Sequence, residues 1–83
     1  MTQQELDRAG TDAVYELDLD FHLDSAREDG RTVHYNYSNR HAVAGEQHFE
    51  IDVDLDRVGP SPRAVKAYLR HEIEFAGHHH QHH

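Results

Sequence analysis

Two stretches of the chain alternate apolar and acidic residues: 15–24, YELDLDFHLD, and 48–56, HFEIDVDLD. A period of two places successive side chains on opposite faces of an extended strand. Both stretches therefore predict half-buried β-strands with one apolar and one acidic face. The predicted inward residues are Tyr15, Leu17, Leu19, Phe21, Leu23, Phe49, Ile51, Val53 and Leu55.

A third strand is predicted between these two. Residues 31–38, RTVHYNYS, alternate again, with Val33, Tyr35 and Tyr37 on the inward face. Asp29 and Gly30 precede this stretch, and Asp-Gly is a preferred turn of β-hairpins. The sequence therefore predicts a three-stranded antiparallel meander.

Parity constrains the register of the second hairpin. The numbers of paired residues must sum to an even value if the apolar faces are to stay together, and a three-residue loop at 43–45 meets this condition. That loop places Tyr37 opposite Ile51, Tyr35 opposite Val53, Val33 opposite Leu55, His34 opposite Asp54 and Asn36 opposite Asp52. A first hairpin that pairs Leu23 with Val33 brings His22 beside His34.

Helix signals flank the predicted sheet. Residues 2–5, TQQE, form a capping-box pattern that predicts a short N-terminal helix ended by Gly10. Ser61 and Pro62 predict the N-cap and first turn of a second helix, which runs to about Ala76 and stops at Gly77. The apolar stripe of this helix is Ala64, Val65, Tyr68, Leu69, Ile73 and Ala76. We therefore expect one α+β domain over 1–77, α-β-β-β-α or, without the N-terminal helix, β-β-β-α, with the C-terminal helix packed on the apolar face of the sheet.

The C-terminal residues 78–83 read HHHQHH. Such a segment is typical of an appended affinity tag and is left out of fold reasoning. A natural metal-storing tail is the alternative. The rest of the sequence fits a natural or an artificial origin.

The predicted layout is similar to that of the double-stranded RNA-binding domain, which is also α-β-β-β-α. That family begins its last helix with lysines, whereas this chain has PSPRAVKAYL at 60–69, with Lys66 as its one lysine. The resemblance therefore concerns the layout, and RNA binding is not expected.

Charge limits the classes of partner. The chain of 83 residues has 16 acidic and 8 basic residues, a net charge of −8, and no cysteine. Nucleic acids and anionic membranes are bound by clustered Lys and Arg, so neither is an expected partner. Disulfides and thiolate metal sites are excluded, and no apolar run is long enough for a signal peptide or a membrane span. We expect a soluble, cytoplasmic protein.

The histidines of the polar sheet face suggest a metal site. In the registers above, His22, His34 and Asp54 lie in one row, and imidazole and carboxylate groups bind zinc or nickel. The alternative is a solvated acidic face with incidental histidines and no cofactor.

Catalytic motifs are missing from the sequence. His71 and Glu72 lack the HExxH spacing of metalloproteases, and there is no nucleophile elbow or phosphate-binding glycine loop. The leading hypothesis is a non-enzymatic module that uses its acidic sheet face to contact a basic protein or to self-associate, for example as a homodimer. An alternative is a nucleic-acid mimic that inhibits a DNA- or RNA-binding protein. The predicted contact residues are Asp18, Asp20, Glu50, Asp52 and Asp54.

Overall fold

The computed structural model describes residues 1–39 and 48–81, and it confirms the predicted α+β layout. Along the chain, one long helix precedes a three-stranded antiparallel meander, and a short helix and a second long helix follow it. The elements are α1 (Gln3–Glu16), β1 (Phe21–Asp29), β2 (Thr32–Asn39), β3 (His48–Asp54), α2 (Leu55–Val58) and α3 (Pro62–Gln81). Strand β2 lies at the centre of the sheet, and β1 and β3 form its edges.

The N-terminal helix is longer than predicted. Its capping box is present: Thr2 Oγ1 accepts a hydrogen bond from the Glu5 amide at 3.1 Å, and Glu5 Oε1 accepts one from the Thr2 amide at 2.9 Å. The helix continues through Gly10 to Glu16, so the prediction that Gly10 ends it is wrong. Its buried residues follow a helical period and are Leu6, Ala9, Gly10, Ala13 and Val14.

The extra length of α1 takes residues from the predicted first strand. Tyr15, predicted to point inward from a strand, lies in α1 with 82% of its surface exposed, and β1 begins only at Phe21. The end of α1 is a Schellman motif, in which the Asp18 amide donates to the Tyr15 carbonyl at 3.1 Å and the Leu19 amide to the Val14 carbonyl at 3.3 Å. The alternation at 15–20 therefore belongs to a helix end and a connection.

Gly10 packs against the sheet inside α1. A Cβ atom added there would lie 2.8 Å from Tyr35 Cε1 and 2.9 Å from Leu23 Cδ2. The Tyr35 hydroxyl donates to the Leu6 carbonyl at 2.9 Å, and the Tyr37 hydroxyl donates to the Gly10 carbonyl at 2.8 Å. The central strand thus contacts the main chain of α1 directly.

The second hairpin keeps the predicted faces but not the predicted register. Val33 pairs with Val53, Tyr35 with Ile51, and Tyr37 with Phe49. The prediction is wrong by two residues, and the loop predicted at 43–45 lies outside the described residues. Every even sum keeps the apolar faces together, so parity alone could not choose between neighbouring even registers.

The first hairpin contains a β-bulge. The predicted turn is confirmed: β1 ends at Asp29, and Gly30 has a φ of +66°. Leu23 pairs with Tyr37, but Ser25 pairs with Asn36, which leaves Asp24 as the extra residue. The predicted pairing of Leu23 with Val33 is wrong, because β1 continues for five residues beyond Asp24 before the turn.

The C-terminal helix begins as predicted. Ser61 Oγ accepts a hydrogen bond from the Ala64 amide at 3.1 Å, and Val65, Leu69 and Ile73 are fully buried. The helix runs through Gly77 to Gln81, so the predicted stop is wrong: glycine inside a helix costs only about 1 kcal/mol relative to alanine.

The two long helices cover the same side of the sheet and contact each other. The core consists of Leu6, Ala9, Ala13, Val14, Ala26, Val33, Tyr35, Tyr37, Ile51, Val53, Leu55, Val65, Leu69 and Ile73. At the edge of this core, Glu16 of α1 accepts hydrogen bonds from Lys66 Nζ at 2.7 Å and Arg70 Nη1 at 3.0 Å of α3. In the described part of the chain, no helix combines the length and apolar character needed to cross a membrane.

Candidate functional site

The side of the sheet opposite the core carries the polar residues of all three strands, and we call it the open face. Its members pair across the strands as His22 with Ser38, Ser25 with Asn36, Arg27 with His34, Asp29 with Thr32, and then Ser38 with His48, Asn36 with Glu50, His34 with Asp52 and Thr32 with Asp54. The bulge residue Asp24 also contacts this face through Ser38. Carboxylates outnumber arginines among these residues, so the open face is acidic.

Three of the predicted contact residues form one row on this face. Glu50, Asp52 and Asp54 alternate along β3 with the buried Ile51 and Val53. Alternate residues of a strand lie about 6.5–7 Å apart, so the three carboxylates are close enough to repel one another. We call Glu50, Asp52 and Asp54 the acidic strip.

The other two predicted contact residues lie elsewhere. Asp18 and Asp20 belong to the connection between α1 and β1, and Asp18 has a φ of +55°. The alternation at 15–24 predicts them on a strand, but the strand starts after them. Similarly, Glu16 lies in α1 and Asp56 in α2, where Asp56 pairs with Arg31. The acidic surface is therefore smaller than the sequence suggests.

The predicted metal ligands are not brought together. His22 pairs with Ser38, His34 with Asp52, and Asp54 with Thr32. The bulge in β1 and the two-residue shift between β2 and β3 separate them. Asp54 instead accepts a hydrogen bond from the Asp56 amide at 3.0 Å and caps the short helix α2.

A different set of ligands does converge. One potential ligand atom from each of His34, Glu50 and Asp52 lies within 4.8 Å of the others. His34 Nδ1 is 2.7 Å from Asp52 Oδ1, a contact in which the carboxylate accepts a hydrogen bond from the imidazole N–H. The sequence alone did not reveal this set because it depends on the register. The predicted register pairs His34 with Asp54, whereas the observed one pairs it with Asp52.

A serine, a histidine and an aspartate meet at the other end of the open face. His22 Nε2 lies 2.8 Å from Asp24 Oδ1 and 3.2 Å from Ser38 Oγ, and Ser38 Oγ donates to Asp24 Oδ1 at 3.0 Å. In a catalytic triad the two ring nitrogens have separate partners, so that one is free to take the serine proton. Here one nitrogen faces both groups, and the Ser38 hydroxyl donates a hydrogen bond to the Asp24 carboxylate, so the arrangement differs from that of a triad.

An open cleft adjoins the acidic strip. It has a volume of about 700 Å³ and lies between β3, α2 and α3. Its lining residues are Asp52, Asp54, Arg57, Val58, Ala64, Ala67 and Tyr68. The strip and the cleft therefore form one continuous surface, acidic on the side of β3 and largely apolar on the side of α3.

Shifted pKa values occur away from the open face. A hydrogen bond from Lys66 lowers the pKa of Glu16, and one from the Thr2 backbone lowers the pKa of Glu5. Burial raises the pKa of Tyr35 and Tyr37. No charged side chain is buried among residues 1–38 and 48–75, whose side chains the structure describes. Each of these shifts follows from a contact that holds the fold together.

No protein-family model, curated protein or solved structure was found to match this chain. The open face and its cleft are therefore the basis for a functional proposal.

Proposed function

We propose that the protein is a non-enzymatic, cytoplasmic binding module that contacts a basic protein partner through the acidic strip and the adjoining cleft. The observation that supports this proposal most is the position of Glu50, Asp52 and Asp54 on an edge strand, beside a cleft that is largely apolar on the side of α3.

The charge of the strip favours a basic partner. Like charges at neighbouring positions of a sheet destabilise it, and the chain as a whole has a net charge of −8. Lysine or arginine side chains of a partner relieve this repulsion, and the same field accelerates their encounter with the strip. Binding of this kind becomes weaker as salt is added.

The edge position of β3 favours an extended partner segment. Within the described residues no strand lies on the outer side of β3, and an edge strand offers unpaired amide and carbonyl groups for pairing. The side chains of an added strand alternate between two faces. One set would lie beside Asp52 of the acidic strip, and the other would enter the cleft beside the half-buried Tyr68.

Two features support a function without catalysis. Ser38 donates a hydrogen bond to Asp24, and a single ring nitrogen of His22 faces both of these groups, as described above. Catalytic carboxylates are often buried in a cleft, whereas the carboxylate of Asp52 at the cleft is more than half exposed. The surface therefore suits recognition better than chemistry.

The experiment is a titration with peptides that alternate lysine and apolar residues, followed by calorimetry at low and high salt. The test variant is E50Q/D52N/D54N, because an asparagine at position 54 can still cap α2. Exposed ion pairs contribute about 0.2–1 kcal/mol each, so we expect about a tenfold loss of affinity. The matched control is E28Q/E72Q/E74Q, which removes the same charge from β1 and α3 and is expected to retain most of the affinity.

Three results would count against the proposal. Equal losses in both variants would mean that net charge alone drives binding, and affinity that ignores salt would exclude an electrostatic surface. Absence of binding to every alternating basic peptide would exclude the edge-strand mode.

Sedimentation of the chain alone detects self-association. Binding confined to nucleic-acid-binding proteins, and displaced by DNA or RNA, would favour the mimic instead.

A further inference from the structure

We propose that His34, Glu50 and Asp52 form a binding site for a divalent transition-metal ion on the open face. This inference goes beyond the proposed protein contact and does not depend on it. The three side chains come from two neighbouring strands, with His34 on the central strand opposite Asp52, and Glu50 two residues before Asp52 on the edge strand.

The separation of the ligand atoms is close to what one ion needs. Ligands bound to zinc at about 2.0–2.2 Å in a tetrahedral arrangement lie about 3.4 Å from one another. The three candidate atoms lie within 4.8 Å of each other, so shifts on the order of 1 Å bring them to this spacing. Glu50 and Asp52 are exposed, and small changes of their side-chain torsions provide this movement.

The imidazole is the best-fixed ligand of the three. Only 24% of the His34 side chain is exposed, against 57% for Asp52. The central strand is hydrogen-bonded on both sides, which holds the backbone at His34 in place. Metal binding therefore orders two exposed carboxylates around an imidazole that is already positioned.

The ligand types indicate the class of ion. Magnesium and calcium prefer oxygen ligands alone, whereas imidazole favours zinc, copper, nickel and iron. Two carboxylates offset the charge of a divalent ion, and water from the solvent completes its coordination. We take Zn²⁺ as the probe.

Substitution of Arg27 tests whether removal of a nearby positive charge raises the affinity for the metal ion. It pairs with His34 from the side of β1, opposite to Asp52, so its positive charge opposes a bound cation. Replacing Arg27 by glutamine should raise zinc affinity by about threefold at low salt. Damage to the fold lowers affinity, so an increase is a result that only an electrostatic effect on the site predicts.

The experiment uses the full-length chain with the five histidines at 78–80 and 82–83 replaced by glutamine, because these residues bind metals on their own. Calorimetry with Zn²⁺ should show one ion per chain. H34Q and E50Q should each weaken binding by about tenfold or more. The control H22Q alters a histidine on the same face that contacts Asp24, and it should leave the affinity unchanged.

Circular dichroism of every variant verifies the fold, and NMR of the imidazole protons identifies the histidine that binds. The proposal is overturned if the chain with the substituted tail takes up no zinc. It is also overturned if H34Q and E50Q bind as tightly as the parent, or if the signals of His22 rather than His34 shift on addition of zinc.

Discussion

The hydroxyl of Tyr37 donates a hydrogen bond to the main-chain carbonyl of Gly10 at 2.8 Å, inside the core between the sheet and α1. Tyr35 makes the equivalent bond to Leu6 at 2.9 Å, one turn earlier in the helix. Both rings are fully buried, and within residues 1–38 and 48–75 no buried polar side-chain atom lacks a partner. Two phenols on the central strand thus fix the position of α1.

Removing these hydroxyls tests their contribution to the stability of the fold. Tyr35→Phe and Tyr37→Phe should each lower the free energy of unfolding by about 1 kcal/mol, the usual net value of a hydrogen bond. The loss stays moderate because each carbonyl also lies within the helical hydrogen-bond ladder of α1. Urea unfolding gives the values, with Tyr15→Phe as the control because Tyr15 is exposed. Losses no larger than that of the control would show that the hydroxyls contribute nothing.

Gly10→Ala should destabilise the protein, although alanine is the better helix former. The helix propensity favours alanine by about 1 kcal/mol, but the new methyl group would lie under 3 Å from the side chains of Tyr35 and Leu23. Overpacking of a core costs about 1–3 kcal/mol, so we expect a net loss of up to about 2 kcal/mol. Thermal unfolding measures it, and Thr11→Ala on the exposed side of α1 is the control. A stabilised G10A variant would contradict the close packing.

Asp18→Gly should stabilise the protein. Asp18 occupies the left-handed position of a Schellman motif with a φ of +55°, where glycine has no steric cost. Its carboxylate also lies at the negative end of the α1 dipole. We expect a gain of about 0.5–1 kcal/mol in the free energy of unfolding. Asp18→Ala, which removes the carboxylate but keeps the Cβ atom and its strain, should be the less stable of the two variants, and the reverse order would contradict the assignment.

Alkaline pH should unfold the protein through the same two tyrosines. Burial raises the pKa of Tyr35 and Tyr37 above the ordinary value of 10.0, so the folded state favours the neutral phenols. Their contribution is fully present below pH 10 and is lost as the pH rises above the unfolded pKa towards the folded one. Urea unfolding between about pH 8 and 12 should show this fall.

The double variant Y35F/Y37F provides the control for alkaline unfolding. It should show a much smaller fall in stability over the same range. The same fall in the parent and in this variant would assign the effect to other groups.

The sequence predicted the fold class because several signals agreed. Val33, Tyr35 and Tyr37 alternate with polar residues in β2, and the apolar residues of β3 alternate in the same way. Thr2 and Ser61 cap helices where expected. The strand prediction failed at 15–20 because Leu17 fits the helical period after Val14 as well as the strand alternation with Leu19. Only the docking of α1 on Tyr35 and Tyr37 decides between the two, and that contact is tertiary.

The candidate site was less predictable because it depends on register. Before the bulge, paired residues of β1 and β2 sum to an even number, as Leu23 and Tyr37 do; after it they sum to an odd number, as Ala26 and Tyr35 do. One extra residue therefore breaks the parity rule, and the pattern of apolar residues does not show where it falls. The acidic strip could be predicted without the register, because Glu50, Asp52 and Asp54 lie on one strand.

The hydrogen bonds from Tyr35 and Tyr37 have backbone atoms as acceptors. Every amino acid carries a main-chain carbonyl, so the two acceptors are present whichever residue occupies position 6 or 10, and the bonds depend on how closely the helix can approach. Substitutions on α1 should therefore act on these bonds through side-chain volume, whereas no natural side chain other than tyrosine supplies the two hydroxyl donors from β2.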